Sequence, residues 1–316
     1  MPPSFLDDLQ RFGPDAPPHA VSLPDAQAYC AALTASHYEN FSVVTFLTPR
    51  PLRPAFQSIY AFCRWSDDLG DELPSRDQST ALLHWWRCEL DKLYNGHAHH
   101  PVMVALAPTI AEFQIPMAPF LALISAFEQD QTLTEYQTYN QLLDYCTRSA
   151  NPVGHLVLYL AHSFSPENAL LSDHTCTALQ LANFWQDVAR DLAIGRIYLP
   201  SEDRARFQYP DADLRALRFT PAFANVLEFQ VARARALLAQ GRPLVQRLPP
   251  AIAVDVDLFS RGGIAICDAI ERQGYNVLAS RPRLGKLAKL SLLARAVLSR
   301  PRRNPPVKAL AHAERD

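Results

Sequence analysis

The chain runs to 316 residues, 48% of them hydrophobic, with 30 lysines and arginines against 32 acids. That apolar share can build a sizeable core and excludes global disorder. The near-neutral balance excludes the basic excess of a nucleic-acid binder, so no nucleic-acid partner is expected. The opening Met1-Pro2-Pro3-Ser4 has neither the basic start nor the apolar run of a signal peptide. The richest apolar stretch, 116–127, is too short to span a bilayer and is interrupted by Pro116 and Pro119. The six cysteines (30, 63, 88, 146, 176, 267) form no CxxC pair and fall within apolar helical patterns. They read as reduced core residues of a cytoplasmic protein.

Apolar residues recur at three- and four-residue spacing almost throughout, with no convincing alternating run. The pattern predicts helices over 25–33, 54–71, 80–94, 101–112 and 117–129. Others follow over 134–147, 153–163, 173–193, 221–240, 251–273 and 285–299. Most of the 26 prolines fall between these segments, where breakers belong. With no internal repeat and no low-complexity linker, the expected architecture is all-α. A single domain would cover 1–316, with a loose N-terminal arm (1–23) and a polar tail (305–316). His97, His99 and His100 fall in a predicted loop and are expected to face solvent.

Two acidic clusters carry the chemistry. In Tyr60-Ala61-Phe62-Cys63-Arg64-Trp65-Ser66-Asp67-Asp68-Leu69-Gly70-Asp71-Glu72, Asp67 and Asp71 stand four apart and share a helix face with Arg64. In the second, Gln180, Asn183, Asp187 and Asp191 form a polar stripe bordered by Leu181, Phe184, Trp185 and Val188. One such run is ordinarily a solvated helix face. Here both lie near predicted helix C-termini, where a carboxylate meets the negative end of the helix dipole at a cost of about 0.3–1 kcal/mol. Like charges at i and i+4 add repulsion. A chain that does this twice, beside aromatic and aliphatic neighbours, has a cation to hold. Carboxylate and amide oxygens suit Mg²⁺, which keeps several waters and shares its site with phosphate. Two such stripes facing each other across a cavity would bind a diphosphate as it leaves, and apolar walls would shelter a carbocation from water.

At these residues the sequence resembles the squalene/phytoene synthase family, which joins isoprenyl diphosphates head to head. The likeness runs over about 37–289 in four blocks. Arg64-x-x-Asp67-Asp68-x-x-Asp71 and Gln180-x-x-Asn183-x-x-x-Asp187-x-x-x-Asp191 match the two acidic motifs. Gly195-Arg196-Ile197-Tyr198-Leu199-Pro200 matches the segment after the second motif, and Tyr145-Cys146 with Val153-Gly154 matches a cavity-lining helical segment. Finer features resemble the hydroxysqualene synthases of bacterial hopanoid pathways: His37-Tyr38-Glu39-Asn40-Phe41, Ser149-Ala150-Asn151-Pro152-Val153-Gly154, Gly274-Tyr275-Asn276-Val277-Leu278 and Arg281-Pro282-Arg283-Leu284.

The resemblance implies a helical bundle of the isoprenoid (terpenoid) synthase type with a central apolar cavity. It implies two or three Mg²⁺ ions, no NADPH, and presqualene diphosphate as the substrate, ionised, rearranged and captured by water as hydroxysqualene. By the same resemblance Asp67 and Asp71 ligate metal from one side and Asn183, Asp187 and Asp191 from the other, with Gln180 in the substrate-binding stripe. Asp68 and Glu72 support the field. Arg64 and Arg196 are expected on diphosphate oxygens, with salt bridges to the nearby acids as the alternative. Tyr145, Tyr198, His37 and Phe41 are assigned to the substrate cavity.

Two departures from the coupling members bear on the reaction. Those members usually have a serine/lysine-rich stretch where this chain has Tyr38-Glu39-Asn40, and often a basic residue where it has Gln186. Both changes suit an enzyme that handles one diphosphate and then uses water. Glu39 becomes a candidate to orient that water, with a solvated or salt-bridged acid as the alternative. Gln186→Arg is expected to tighten diphosphate binding. Removing Asp67 or Asp187 is expected to leave metal-free stability unchanged or slightly raised, because like-charge repulsion is relieved.

Gly262-Gly263 serves either a roomy cavity wall or close helix packing. The segment 285–300 sets Lys286, Lys289, Arg295 and Arg300 among leucines. It reads as a peripheral contact at the inner face of an anionic membrane, or as an ordinary amphipathic core helix. Product would then be handed to neighbouring pathway enzymes. The alternative functions are a squalene or phytoene-type coupling enzyme, and a non-catalytic relative that only binds isoprenoids or helps assembly.

Overall fold

Many of the prolines that punctuate the sequence open helices, because the first turn needs no backbone N–H from them. The computed structural model describes residues 4–17, 20–36 and 48–298, without the side chains of Lys286, Lys289 and Val297. In order its helices are α1 (Phe5–Phe12), α2 (Leu23–Ser36), α3 (Arg53–Asp71), α4 (Arg76–Tyr94), α5 (Pro101–Phe113), α6 (Ala118–Asp130) and α7 (Tyr139–Ser149). Then come α8 (Asn151–Leu160), α9 (Pro166–Ala193), α10 (Ser201–Arg206), α11 (Asp211–Arg215), α12 (Pro221–Gly241), α13 (Pro250–Arg272) and α14 (Lys286–Leu298). Among the described residues there is no strand, only an isolated bridge between Glu135 and Ile197. The all-α expectation holds.

The buried apolar side chains form two clusters. In the first, α3 packs on α2, α4, α5 and α6 around Phe62, Trp65 and Trp86, with Trp65 and Trp86 stacked 5.4 Å apart. In the second, α9 packs on α7, α8, α12 and α13 around Leu181, Trp185, Val231 and Ile270. Each acidic motif therefore rides on the central helix of its own cluster. Three glycines let neighbours close on α9. A Cβ on Gly154 of α8 would lie 2.2 Å from Ser172 Oγ, and one on Gly241 would lie 2.1 Å from Thr175 Oγ1. One on Gly263 of α13 would lie 2.8 Å from Leu179 Cδ2, so close packing is what Gly263 provides.

Four expectations are corrected. The stretch read as a loose arm contains α1, held by a Ser4–Asp7 capping box; its Phe5 ring meets Trp65 edge-on at 5.3 Å. The helix expected from 134 begins at Tyr139, because Thr138 and Gln141 form a capping box there. Residues 134–136 instead run beside the chain after α9, with Ile197 N–H donating to Thr134 O at 2.7 Å and Ser201 N–H to Tyr136 O at 3.0 Å. The helix expected from 173 starts at Pro166, capped by Ser165; Leu170, 57% exposed, breaks the apolar period in its first two turns. His100 is buried: its Nδ1 caps α5 by accepting from Val102 N–H at 3.2 Å, and its ring lies edge-on to Trp65 at 4.4 Å. His97 and His99 are exposed, as expected. All six cysteines are unpaired thiols.

Candidate active site

The last turn of α3 carries Asp67, Asp68 and Asp71, and the last two turns of α9 carry Asp187 and Asp191. Both motifs thus sit at the negative ends of their helix dipoles, where the sequence placed them. Arginines meet this charge. Arg64 Nη1 lies 3.2 Å from Asp67 Oδ2 and its Nη2 bonds Asp68, which is buried beneath it. Arg196 forks onto Asp71, with Nη2–Oδ1 at 2.6 Å and Nη1–Oδ2 at 3.3 Å. Arg281 forks onto buried Asp187 through Nε and Nη2, the latter at 2.7 Å from Oδ2.

Backbone geometry delivers these arginines. Gly195 takes φ +80°, which side-chain-bearing residues rarely adopt. The chain reverses there, Arg196 N–H donates to Asp191 O at 2.8 Å, and the Arg196 fork joins the end of α9 to the end of α3. Burial alone would weaken the charged form of Arg196, but Asp71, Tyr198 and Asp130 hold its pKa above the ordinary value. Arg281 comes from the loop between α13 and α14. Gln186 secures that loop: its Nε2 donates to Pro282 O at 2.5 Å and its Oε1 accepts from Arg281 Nη2 at 3.2 Å. Buried at 2% exposure, Gln186 serves the loop.

Asp191 marks where a cation fits. Burial, then the charge of Asp187, push its carboxyl up to about 8, against the pull of Arg196, Arg281 and Arg190. Its Oδ2 is buried without a hydrogen-bond partner. A buried carboxylate oxygen with no donor, one helical turn from a second carboxylate, is a hard-oxygen arrangement that a divalent cation would satisfy. Among the described residues no three His, Cys, Asp or Glu side chains converge to enclose an ion by themselves. Gln180 and Asn183 lie half-buried on α9, at helical spacing before Asp187.

An aromatic wall adjoins the carboxylates. Phe184 stacks on Tyr198 at 3.7 Å; Tyr145 lies 6.0 Å from Tyr198 and 5.6 Å from Tyr136. Tyr145 Oη donates to Asp130 Oδ2 at 2.7 Å, so the C-terminal residue of α6 joins the site although no motif announced it. A small cavity of about 10 Å³ lies between Phe184, Val188, Asp191, Arg196 and Tyr198. The structure thus brings Asp71, Tyr145, Asp187, Asp191, Arg196 and Tyr198 into one connected region and adds Arg281, Gln186 and Asp130. His37, Glu39 and Phe41 lie outside the described residues.

Comparison with known proteins agrees with this arrangement. The family model for squalene/phytoene synthase matches residues 34–288. A phytoene synthase of Arthrospira platensis is 30% identical over 287 residues, spanning 87% of this chain and 93% of its own. A presqualene diphosphate synthase of Rhodopseudomonas palustris is 30% identical over 276 residues, covering 87% and 97%. Among solved structures, squalene synthase HpnC from Alicyclobacillus acidocaldarius is 48% identical with a TM-score of 0.77, covering 80% of this chain and 96% of that one. A dehydrosqualene synthase at 23% identity shares the fold, with a TM-score of 0.79 over 87% and 96% of the two chains. The bundle is of the isoprenoid synthase type, and the chain belongs to the squalene/phytoene synthase family, enzymes that couple prenyl diphosphates head to head.

Proposed function

We propose that this enzyme ionises presqualene diphosphate, lets the cyclopropylcarbinyl cation rearrange, and delivers it to water as hydroxysqualene. The 48% identity to the squalene synthase HpnC, against 30% to the phytoene synthase, supports a squalene route over a phytoene one. The observation that carries the reading is Gln186. Where coupling members often have a cation, this chain has a buried amide bonded to Pro282 and Arg281. The place is thereby committed to holding one arginine instead of engaging a second diphosphate.

Asp67 and Asp71 from α3, and Asn183, Asp187 and Asp191 from α9, would hold magnesium, completed by water and substrate oxygens. When bound, magnesium supplies Lewis-acid stabilisation of the departing diphosphate. Arg196 and Arg281 offer planar forks that suit phosphate as well as they suit Asp71 and Asp187. The exchange of a carboxylate for a phosphate at each fork couples substrate arrival to release of the acids. The stacked faces of Tyr198 and Phe184 favour an adjacent cation, and the apolar wall withholds water until rearrangement is complete. Ionisation and water addition leave the oxidation level unchanged, so no nicotinamide enters.

The test is incubation of pure protein with Mg²⁺ and presqualene diphosphate in ¹⁸O-labelled water, with and without NADPH. The expected product is an alcohol carrying solvent oxygen, formed equally in both. Squalene formed only with NADPH, or efficient coupling of farnesyl diphosphate with no alcohol, would replace this reading with a reductive or coupling one. The presqualene diphosphate synthase among the relatives makes that second outcome the one to compare against.

A further inference from the structure

The last described helix turns an apolar face outward. Leu287 is 83% exposed, Leu290 61% and Leu298 85%. At spacings of three and eleven residues they fall on one side of α14, with exposed Ala294 between them. The opposite side packs on α13, with Ala296 buried. Three exposed leucines in register on one helix are more than the scatter of single apolar residues that any surface shows.

Charge is distributed to match. From 272 to 313 the sequence has ten lysines and arginines and no aspartate or glutamate, so the rest of the chain carries 20 bases against 32 acids. A chain that is nearly neutral overall thus carries a third of its positive charge in this one stretch of sequence. Lys286, Lys289 and Arg295 lie on α14, and Arg300, Arg302, Arg303 and Lys308 follow it in sequence. At 13 residues α14 is too short to span a bilayer, and no helix among the described residues is long and apolar enough to cross one. An apolar stripe accompanied by bases and free of acids is the composition of a helix that lies in a membrane interface.

We propose that α14 is an interfacial docking element for an anionic lipid surface, its leucines entering the headgroup boundary while the neighbouring bases meet lipid phosphates. A protein partner with an apolar groove would not need so long a stretch without acids. Docking there would bring the enzyme to the phase in which long prenyl chains dissolve.

The experiment is co-sedimentation of the full-length protein with phosphatidylcholine vesicles and with phosphatidylcholine–phosphatidylglycerol vesicles in a ratio of roughly three to one. The mixed vesicles should bind at least ~10-fold more protein at low salt, and the difference should collapse as salt screens the charges. Leu287→Glu with Leu290→Glu, at exposed positions that cost the fold little, should cut binding by about 5-fold or more at an unchanged helical signal. Arg295→Glu should reduce binding to mixed vesicles without changing that to neutral ones. Equal binding to both vesicle types, or none to either, would overturn the proposal. So would a dimer in lipid-free sedimentation that Leu287→Glu with Leu290→Glu dissociates, because the stripe would then face a second copy.

Discussion

Arg196 and Asp71 are 125 residues apart in sequence, yet their two hydrogen bonds, at 2.6 and 3.3 Å, join the two acidic motifs across the site. Arg281, 94 residues from Asp187, forks onto it and ties the loop between α13 and α14 to the second motif. Each motif therefore has a guanidinium on it, which changes the stability expected of carboxylate variants. Asp71 is partly exposed, so Asp71→Asn should cost only about 0.5–1 kcal/mol. Asp187→Ala should cost about 2–3 kcal/mol in metal-free protein, because it removes the carboxylate that takes two bonds from the largely buried Arg281 guanidinium. This reverses the expectation, based on like-charge repulsion alone, that removing Asp187 would be neutral or stabilising. Both variants should lose activity by orders of magnitude. Urea unfolding in chelator measures the stabilities, and an Asp187→Ala variant as stable as wild type would mean the Arg281 fork contributes nothing.

Gln186→Arg gives a second test of the same loop. The new side chain is larger than the space at a fully packed position, and it sets a second guanidinium against Arg281. Overpacking of this kind costs about 1–3 kcal/mol, and the bond to Pro282 O is lost as well. The expected outcome is a lower Tm and weaker substrate binding, seen as a raised KM. A lowered KM at unchanged Tm would show that the side chain reaches a phosphate after all.

Much of this was legible in the sequence because it is local. Helical period and the i,i+4 acids are short-range signals, and they put the acidic motifs on helix C-termini as found. What escaped was long-range or lay where the apolar period lapses. Asp130 ends an apolar helix and looks like a surface acid until the fold sets Tyr145 on it. Arg281 was noticed only as part of a family pattern, since nothing near it in sequence names Asp187 as its partner. His100 looked like one of three loop histidines, and only the tryptophans from α3 and α4 make it a core residue.

The glycines around α9 should rank by what a methyl group would strike. At Gly241 a Cβ would meet not only Thr175 Oγ1 but also backbone, Leu171 O at 2.9 Å and Thr175 N at 3.0 Å, which cannot move aside cheaply. Gly241→Ala should therefore cost the most, about 2–3 kcal/mol. Gly154→Ala meets the Ser172 and Cys176 side chains, which can rotate in part, and should cost less. At Gly263 the obstacle is the flexible end of Leu179, and the gain in helix propensity, about 1 kcal/mol, offsets it. Urea midpoints in the order Gly263→Ala, Gly154→Ala, Gly241→Ala, from highest to lowest, are expected. A strongly destabilised Gly263→Ala would show that α13 and α9 cannot yield there.

The final prediction concerns Asp130, whose Oδ2 accepts from Tyr145 Oη while its Oδ1 is buried without a partner. Burial is the main cause that pushes its carboxyl from 3.8 up to about 6; Asp71 adds to it, and Arg196 and the Tyr145 hydroxyl oppose it. A carboxyl whose pKa is higher folded than unfolded binds its proton more tightly in the folded state. Its contribution is thus fully present below about pH 4 and is lost as the pH rises through about 6. Asp130→Asn keeps the shape and an oxygen to accept from Tyr145, but it cannot titrate. Between about pH 4 and 6 the Tm of the wild type, relative to that of Asp130→Asn, should therefore fall, and the difference should be constant above that window. Tyr145→Phe keeps the ring beside Tyr198 but removes the donor that holds the charged carboxylate, so the same fall should shift to higher pH. If the difference between wild type and Asp130→Asn does not change with pH, the Asp130 proton is not what the fold binds. If Tyr145→Phe leaves the window where it was, the hydrogen bond between the two residues does not set it.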